Sequence, residues 1–94
     1  SADYALKCDG DSMIDVGIYD GDVVFIKEQP IVENGEIAAV LIDGETTLKK
    51  VYKDKDKLSL IPANSNYPPL TFVKNEINMV SILGKATAYL HKIK

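Results

Sequence analysis

Ser12 lies in a segment whose residue types suit a nucleophile, the run GDSMID from Gly10 to Asp15. A glycine two residues before a serine lets the backbone turn sharply, so that the hydroxyl can project from the end of a strand. If one helical turn follows, the backbone amides near Ser12 point toward one place and can hold an oxyanion. The same serine could instead only cap that turn. The segment therefore indicates acyl-transfer chemistry without establishing it.

A serine nucleophile needs a proton acceptor. His91 is the only histidine and lies in the last four residues, which makes a Ser-His-Asp triad a weak prediction and a thiol dyad of Cys8 with His91 a weaker one. A lysine can also act as the base, because burial lowers its pKa from about 10.4 and leaves the amine neutral. Lys49 and Lys50 are the candidates, and composition does not choose between them.

Both lysines lie on a predicted strand that follows the turn Asp43-Gly44. Because side chains alternate along a strand, Thr47 and Lys49 share one face and Lys50 lies on the other. A threonine hydroxyl beside Lys49 could accept a hydrogen bond from the amine and orient it. The alternative is that both lysines are solvated strand residues, which is the commoner position of lysine.

Neither a metal nor a cofactor is predicted. Asp9, Asp11 and Asp20 fall at the first, third and twelfth positions of a calcium loop, but Met13 occupies a ligand position and Ile14 the position that requires glycine. One cysteine and one histidine at opposite ends of the chain also supply too few zinc ligands.

Composition predicts an ordinary soluble domain. The 94 residues are 46% hydrophobic and 27% charged, which is enough for one core. No apolar run approaches the roughly 20 residues of a membrane span, so no membrane association is expected. A single cysteine fits a reducing cytoplasm better than a disulfide-bonded protein.

Charge is distributed unevenly along the chain. Residues 1–45 carry eleven acidic residues and two lysines, a sum of −9, whereas residues 46–94 carry nine lysines and three acidic residues, a sum of +6. There is no arginine, the residue that most often reads guanine edges and phosphates. We therefore expect no direct DNA contact by these residues and interpret the lysines as a solvated surface.

Short apolar runs separated by turn residues recur about every ten residues, which predicts a mostly β domain of short, twisted antiparallel strands. Asp43-Gly44 predicts a hairpin, Asn34-Gly35 and Asp20-Gly21 predict turns, and residues 54–57 predict an exposed loop tip. One helical turn is expected from Ser12 to Val16, with Gly17 ending it. The predicted strands are Tyr4–Cys8, Val23–Lys27, Glu36–Ile42, Thr46–Tyr52, Leu58–Ile61, Leu70–Val73, Met79–Leu83 and Ala86–Ile93.

Two spaced motifs resemble those of the LexA and UmuD family of self-cleaving serine proteases. One is Gly10 to Asp15, followed by Gly17-Ile18 and then Asp20 to Asp22. The other is TLKKV from Thr47 to Val51, in which the lysine two residues after the threonine is the family's base. The resemblance covers nearly the whole chain, since further matches occur at Asn34-Gly35-Glu36, at Pro62 with Asn64-Ser65, and from Tyr67 to Leu70.

The resemblance implies one LexA-like, signal-peptidase-like catalytic domain over residues 1–94. It implies Ser12 as nucleophile and Lys49 as base, with Thr47 orienting the lysine and the backbone amides of Asp11 and Ser12 forming the oxyanion hole. It further implies a homodimer in which the late strand supplies the two-fold interface, so that pairing also protects a strand edge. The expected interface residues are Ile82, Leu83, Ala86, Ala88 and Leu90.

Two features depart from the family's pattern. Its scissile bond is typically Ala-Gly or Cys-Gly on a loop well upstream of the serine, whereas only eleven residues precede Ser12 here and neither dipeptide occurs. The N-terminal DNA-binding helices of the repressors are also missing from the sequence. We therefore expect a chain with the catalytic machinery but without its own substrate.

The predicted function is that of the self-cleaving and dimerising C-terminal domain of a LexA-type repressor in the DNA-damage (SOS) response. In the intact protein, a RecA filament would favour the conformer whose cleavage loop reaches Ser12, and DNA would be bound only by the missing N-terminal domain. One alternative is a UmuD-like accessory factor of a translesion polymerase, and another is a noncatalytic dimerisation module. A signal-peptidase-like enzyme shares the Ser-Lys chemistry, but the missing membrane anchor argues against it.

Overall fold

The computed structural model describes residues 2–91 and 93, and its seven strands form one antiparallel sheet. In space the strands are ordered β1-β2-β7-β3-β4-β5-β6, which confirms the predicted mostly β fold. Two 3₁₀ turns, Ile14–Val16 and Ile77–Met79, are the helical segments of this part of the chain, and neither could cross a membrane. The strands are β1 (Tyr4–Lys7), β2 (Val23–Glu28), β3 (Ile37–Ile42), β4 (Glu45–Asp54), β5 (Lys57–Ile61), β6 (Leu70–Val73) and β7 (Val80–Leu90).

Tight turns occur where the turn residues predict them. Asp43 and Gly44 both have positive φ, 51° and 77°, as the two-residue hairpin between β3 and β4 requires. The predicted loop tip at 54–57 is equally short, because only two residues separate the end of β4 from the start of β5. Gly17, at φ 84°, ends the first 3₁₀ turn as expected, although that turn begins two residues after Ser12.

β7 is a single strand where two were predicted. Gly84 lies between the two predicted runs and does not interrupt the strand. A Cβ at this position would overlap the backbone oxygen of Lys27, so glycine is needed for β2 and β7 to approach closely. The strand ends at Leu90, so the prediction that it continues to Ile93 is wrong, and position 92 of that prediction lies outside the described residues.

We had expected the late strand to form an edge of the sheet. It does not, because β1 and β6 are the edges. β7 lies between β2 and β3, and Gly84 and Lys85 pair with both neighbours. Residues 86–90 pair with β2 alone, because β3 begins at Ile37 and its register with β7 starts at Ala38 opposite Lys85. Residues 80–82 likewise pair with β3 alone, so each end of β7 has one side without a strand partner.

Two apolar clusters pack on the sheet. Ala38 and Ala39 are successive residues of β3 that belong to different clusters, as expected when alternate side chains point to opposite faces. The second cluster contains Ala38, Val40, Val51, Leu58 and Leu60. The first cluster lies around the Ser12 segment and contains Cys8, Met13, Ile18, Val24, Ile26, Ala39, Leu48 and Ala63.

Candidate active site

Ser12 lies in the turn that follows β1, where its side chain is half-buried. The next residue, Met13, is 1% exposed and packs in the first apolar cluster, so the core anchors this turn directly beside the serine. Ser12 lines a cavity of about 130 Å³. The cavity is lined from β1 and the following loop by Leu6, Lys7, Cys8, Asp9 and Met13, and from β4 by Thr46, Thr47 and Leu48.

Lys49 is half-buried on β4, and its amine has two hydrogen bonds. Nζ donates to Thr47 Oγ1 at 3.0 Å and to the Leu48 carbonyl at 3.1 Å. Burial lowers the pKa of Lys49 from 10.5 because the ammonium loses water, while negative charge on Cys8 opposes the shift. The contact between Thr47 and Lys49 that strand alternation predicts is therefore present, in surroundings that favour the neutral amine.

Thr47 connects the lysine to the cavity. It lines the cavity with Ser12 and accepts a hydrogen bond from Lys49, whereas Lys50 makes no such contact. Among the described residues no hydrogen bond joins Ser12 Oγ to Lys49 Nζ, and neither lysine is among the lining residues of the cavity. The direct contact that proton transfer requires is thus not made in this conformer, as is common before a substrate binds.

The backbone amides next to Ser12 are available to a ligand. In the part of the chain that the structure describes, the N–H groups of Asp11 and Ser12 donate to no protein acceptor. Gly10 N donates to Asp20 Oδ1 at 2.7 Å and Ile14 N to Asp11 O at 3.4 Å, whereas the Met13 N–H, like those of Asp11 and Ser12, has no acceptor among the described residues. Successive unpaired amides beside a cavity form the kind of site that binds an oxyanion.

The segment from Pro62 to Tyr67 holds this turn from the other side. The Asn64 amide nitrogen donates to the Asp11 carbonyl at 2.9 Å, and the Tyr67 hydroxyl donates to the Asp11 carboxylate. That hydrogen bond to Asp11 raises the pKa of Tyr67. The sequence places this segment in the family resemblance but gives no sign that it contacts the site. The two hydrogen bonds to Asp11 span 53 and 56 residues, and no spacing rule predicts contacts over such distances along the chain.

His91 lies in a different cavity, away from Ser12. Its Nδ1 is 2.7 Å from Asp22 Oδ2, and its ring lies 5.4 Å from that of Tyr19 and 5.1 Å from that of Tyr89. Burial raises the pKa of Asp22, but hydrogen bonds from the Tyr19 amide and from His91 outweigh this effect and hold the pKa below its usual value. The geometry therefore does not support His91 as the base for Ser12.

The five expected dimer residues differ in exposure. Ile82, Leu83 and Ala86 are half-buried and pack against the two apolar clusters of this chain. Ala88 is exposed, and Leu90 is 59% exposed. Of the five, only Ala88 and Leu90 are thus exposed.

Comparison with known proteins assigns the chain to a family. The family described as Peptidase S24-like matches residues 1–87. The LexA repressor of Carboxydothermus hydrogenoformans is 42% identical over 91 residues, which are 95% of this chain and 43% of the relative. The LexA repressor of Myxococcus xanthus is 37% identical, over 97% of this chain and 41% of the relative. The LexA repressor of Leptospira interrogans serovar copenhageni is 44% identical, over 87% of this chain and 38% of the relative. The chain thus spans about two fifths of the length of these curated relatives.

Proposed function

We propose, from the premise that the chain belongs to the peptidase S24-like family, that it is the self-cleaving and dimerising part of a LexA-type repressor. The observation that carries the proposal is the hydrogen bond from the half-buried Lys49 to Thr47, because Thr47 and Ser12 line the same cavity. The relatives named above are LexA repressors, which favours this function over that of a UmuD-like polymerase factor.

The proposed chemistry is acyl transfer with Ser12 as nucleophile and Lys49 as general base. A neutral amine has two N–H donors and one lone pair. The two observed bonds, to Thr47 Oγ1 and the Leu48 carbonyl, use both donors, so the lone pair remains free to accept the proton of Ser12. Thr47 would in this way orient the amine.

The proposed reaction passes through an acyl ester on Ser12. Ser12 Oγ attacks the scissile carbonyl as its proton passes to Lys49, and the amides of Asp11 and Ser12 hold the oxyanion. Collapse of the tetrahedral intermediate breaks the C–N bond, and the Lys49 ammonium gives its proton to the leaving amine. A water molecule, deprotonated by Lys49, then attacks the acyl ester; the ester C–O bond breaks, and the Lys49 ammonium returns the proton to Ser12 Oγ.

In the intact protein the substrate would be the upstream loop of the repressor. A RecA filament on single-stranded DNA would favour the conformer in which this loop occupies the Ser12 cavity, and cleavage would separate the DNA-binding half from this domain. A reducing cytoplasm is the proposed compartment, which the free, buried Cys8 supports.

The pH dependence of cleavage tests this function. A synthetic peptide that carries a LexA-type loop with an Ala-Gly bond should be cut by the chain, and the rate should increase with pH. Only the neutral form of Lys49 accepts a proton, so the rate rises about tenfold per pH unit below its pKa and is constant above it. Because burial lowers this pKa, the plateau should begin below 10.5.

Chromatography of the peptide between about pH 6 and about pH 10 measures this profile. The Lys50→Met variant is the control, because it removes the neighbouring lysine without touching Thr47 and should keep the same midpoint. A rate that is independent of pH, or that falls as pH rises, would contradict a lysine base.

The last residues of β7 supply the surface for the proposed dimer. Ala88 pairs with Phe25 and Leu90 with Val23, so these four apolar side chains lie side by side on one face of the sheet. The backbone of residues 86–90 is paired on one side only. A two-fold related copy could cover both the face and the open edge.

Ala88→Asp should therefore convert a dimer into a folded monomer, because a carboxylate in that apolar surface would lose its water. Analytical ultracentrifugation should give about twice the chain mass of 10.3 kDa for the unaltered chain and the single mass for the variant. Thr71→Asp, which adds the same charge at an exposed position of β6, should remain dimeric. An unaltered chain that sediments as a monomer at micromolar concentration would refute the dimer.

A further inference from the structure

We propose that Asn64 is a positioning residue, which holds the Asp11–Ser12 peptide group in the orientation that offers the Ser12 amide to the reaction's oxyanion. The inference rests on the peptidase function proposed above and assigns a role outside the Ser-Lys pair. Asn64 is only 5% exposed, and its Nδ2 donates to the Asp11 carbonyl at 2.9 Å.

The geometry of one peptide group connects Asn64 to the oxyanion. The Asp11 carbonyl and the Ser12 N–H belong to the same peptide, and none of the peptide bonds described is cis. In a planar trans peptide the C=O and the N–H point in opposite directions. A hydrogen bond that fixes the carbonyl toward Asn64 therefore also fixes the N–H toward the opposite side. That N–H has no acceptor among the described residues, so it is free to bind substrate.

Asn64 is itself held so that only its donor can face Asp11. Its Oδ1 accepts a hydrogen bond from Asn66 N at 2.9 Å, which leaves Nδ2 for the Asp11 carbonyl. Next to it, the Ala63 carbonyl accepts a bond from Asp15 N at 2.7 Å, so the two segments are joined on both sides of Ser12. The bond to the carbonyl also polarises the peptide and strengthens its N–H as a donor.

Asn64→Asp is the informative variant. It keeps the size of the side chain and the acceptor for Asn66 N, but it places a carboxylate oxygen against the Asp11 carbonyl. We expect kcat for the supplied peptide to fall about 10²–10³-fold, as when one oxyanion donor is lost. KM should change by less than about threefold, and the pH midpoint of the rate should not move, because the amide acts on the transition state. Ser65→Asp, which adds the same charge at the exposed next residue, should keep its kcat.

A peptide aldehyde separates positioning from mere structural support. Its adduct with Ser12 carries an oxygen in the oxyanion position, whereas the matching peptide alcohol forms no adduct. Asn64→Asp should weaken the aldehyde about 100-fold and leave the alcohol unchanged. Equal weakening of both inhibitors, or an unchanged kcat in the folded variant, would overturn the proposal.

If Asn64→Asp does not fold, an NMR measurement on the unaltered chain still tests the proposal. An NMR coupling across the hydrogen bond, from Asn64 Nδ2 to the Asp11 carbonyl carbon, is expected, and its absence would overturn the proposal. Failure of the peptidase function would look different, because the unaltered chain would then leave the peptide intact or Ser12→Ala would cut it equally fast.

Discussion

Replacing Ser12 by alanine should lower the cleavage rate of a supplied LexA-type peptide by at least about 10⁴-fold. The remaining rate would be that of a peptide that is bound but has no nucleophile to attack it. The variant lacks the oxygen that forms the acyl ester. Thr47 also brings a hydroxyl to the cavity and contacts Lys49, but its oxygen accepts the N–H of the amine and gives up no proton to it. Cys8 lines the same cavity, but burial raises the pKa of its thiol and makes the reactive thiolate scarce. Mass spectrometry of the products measures the residual rate.

Ser65→Ala is the matched control for Ser12→Ala, since it removes an exposed hydroxyl from the segment that packs against the same turn. It should cleave at the unaltered rate. The alanine at position 12 should also leave the melting temperature within a few degrees of the unaltered chain, because Met13 rather than Ser12 anchors the turn in the core. Cleavage by a folded Ser12→Ala variant at the normal rate would eliminate Ser12 as nucleophile.

Replacing Lys49 by methionine should abolish cleavage to a similar extent, because methionine has the length of the lysine stem but cannot accept a proton. The same substitution should leave the chain at least as stable at neutral pH. Burial lowers the pKa of Lys49 in the folded state, so the unfolded chain binds more protons between that lowered pKa and 10.5. Stability therefore rises with pH across this interval, and below it the folded state bears the cost of a half-buried ammonium. Methionine removes that cost.

Two measurements test the Lys49→Met prediction. Peptide cleavage should be lost in Lys49→Met and kept in Lys50→Met, which changes the neighbouring lysine on the other face of β4. Urea unfolding at neutral pH should give Lys49→Met a midpoint equal to or above that of the unaltered chain. Loss of activity in Lys50→Met with normal activity in Lys49→Met would reverse the assignment of the base.

Local rules of the chain accounted for most of the strands and turns. The hairpin at Asp43-Gly44 follows from two adjacent positions that must have positive φ, and both do. Thr47 and Lys49 meet because residues two apart share a strand face, and the observed hydrogen bond of 3.0 Å agrees with that prediction. In both cases the physical cause acts within a few residues, so the sequence was sufficient.

The order of strands in the sheet was decided by tertiary structure. Two strands were predicted on either side of Gly84, whereas Gly84 lies within β7, where the strand passes so close to Lys27 that a side chain would not fit. The late strand is likewise interior and not an edge, because it lies between β2 and β3, and residues 86–90 pair with β2 alone. The cause lies in neighbours that are distant along the chain, and periodicity carries no information about them.

The site was likewise determined at two levels. Residue types and the two motifs predict Ser12 and Lys49 as the catalytic pair from the sequence. Only the fold brought Asn64 to the Asp11 carbonyl and Tyr67 to the Asp11 side chain, and only the fold placed His91 at Asp22 instead of at the serine. A motif records which chemical groups the chain carries in one short segment. The hydrogen bond from Asn64 to the carbonyl of the Asp11–Ser12 peptide group spans 53 residues, and such a bond forms only when the whole domain folds.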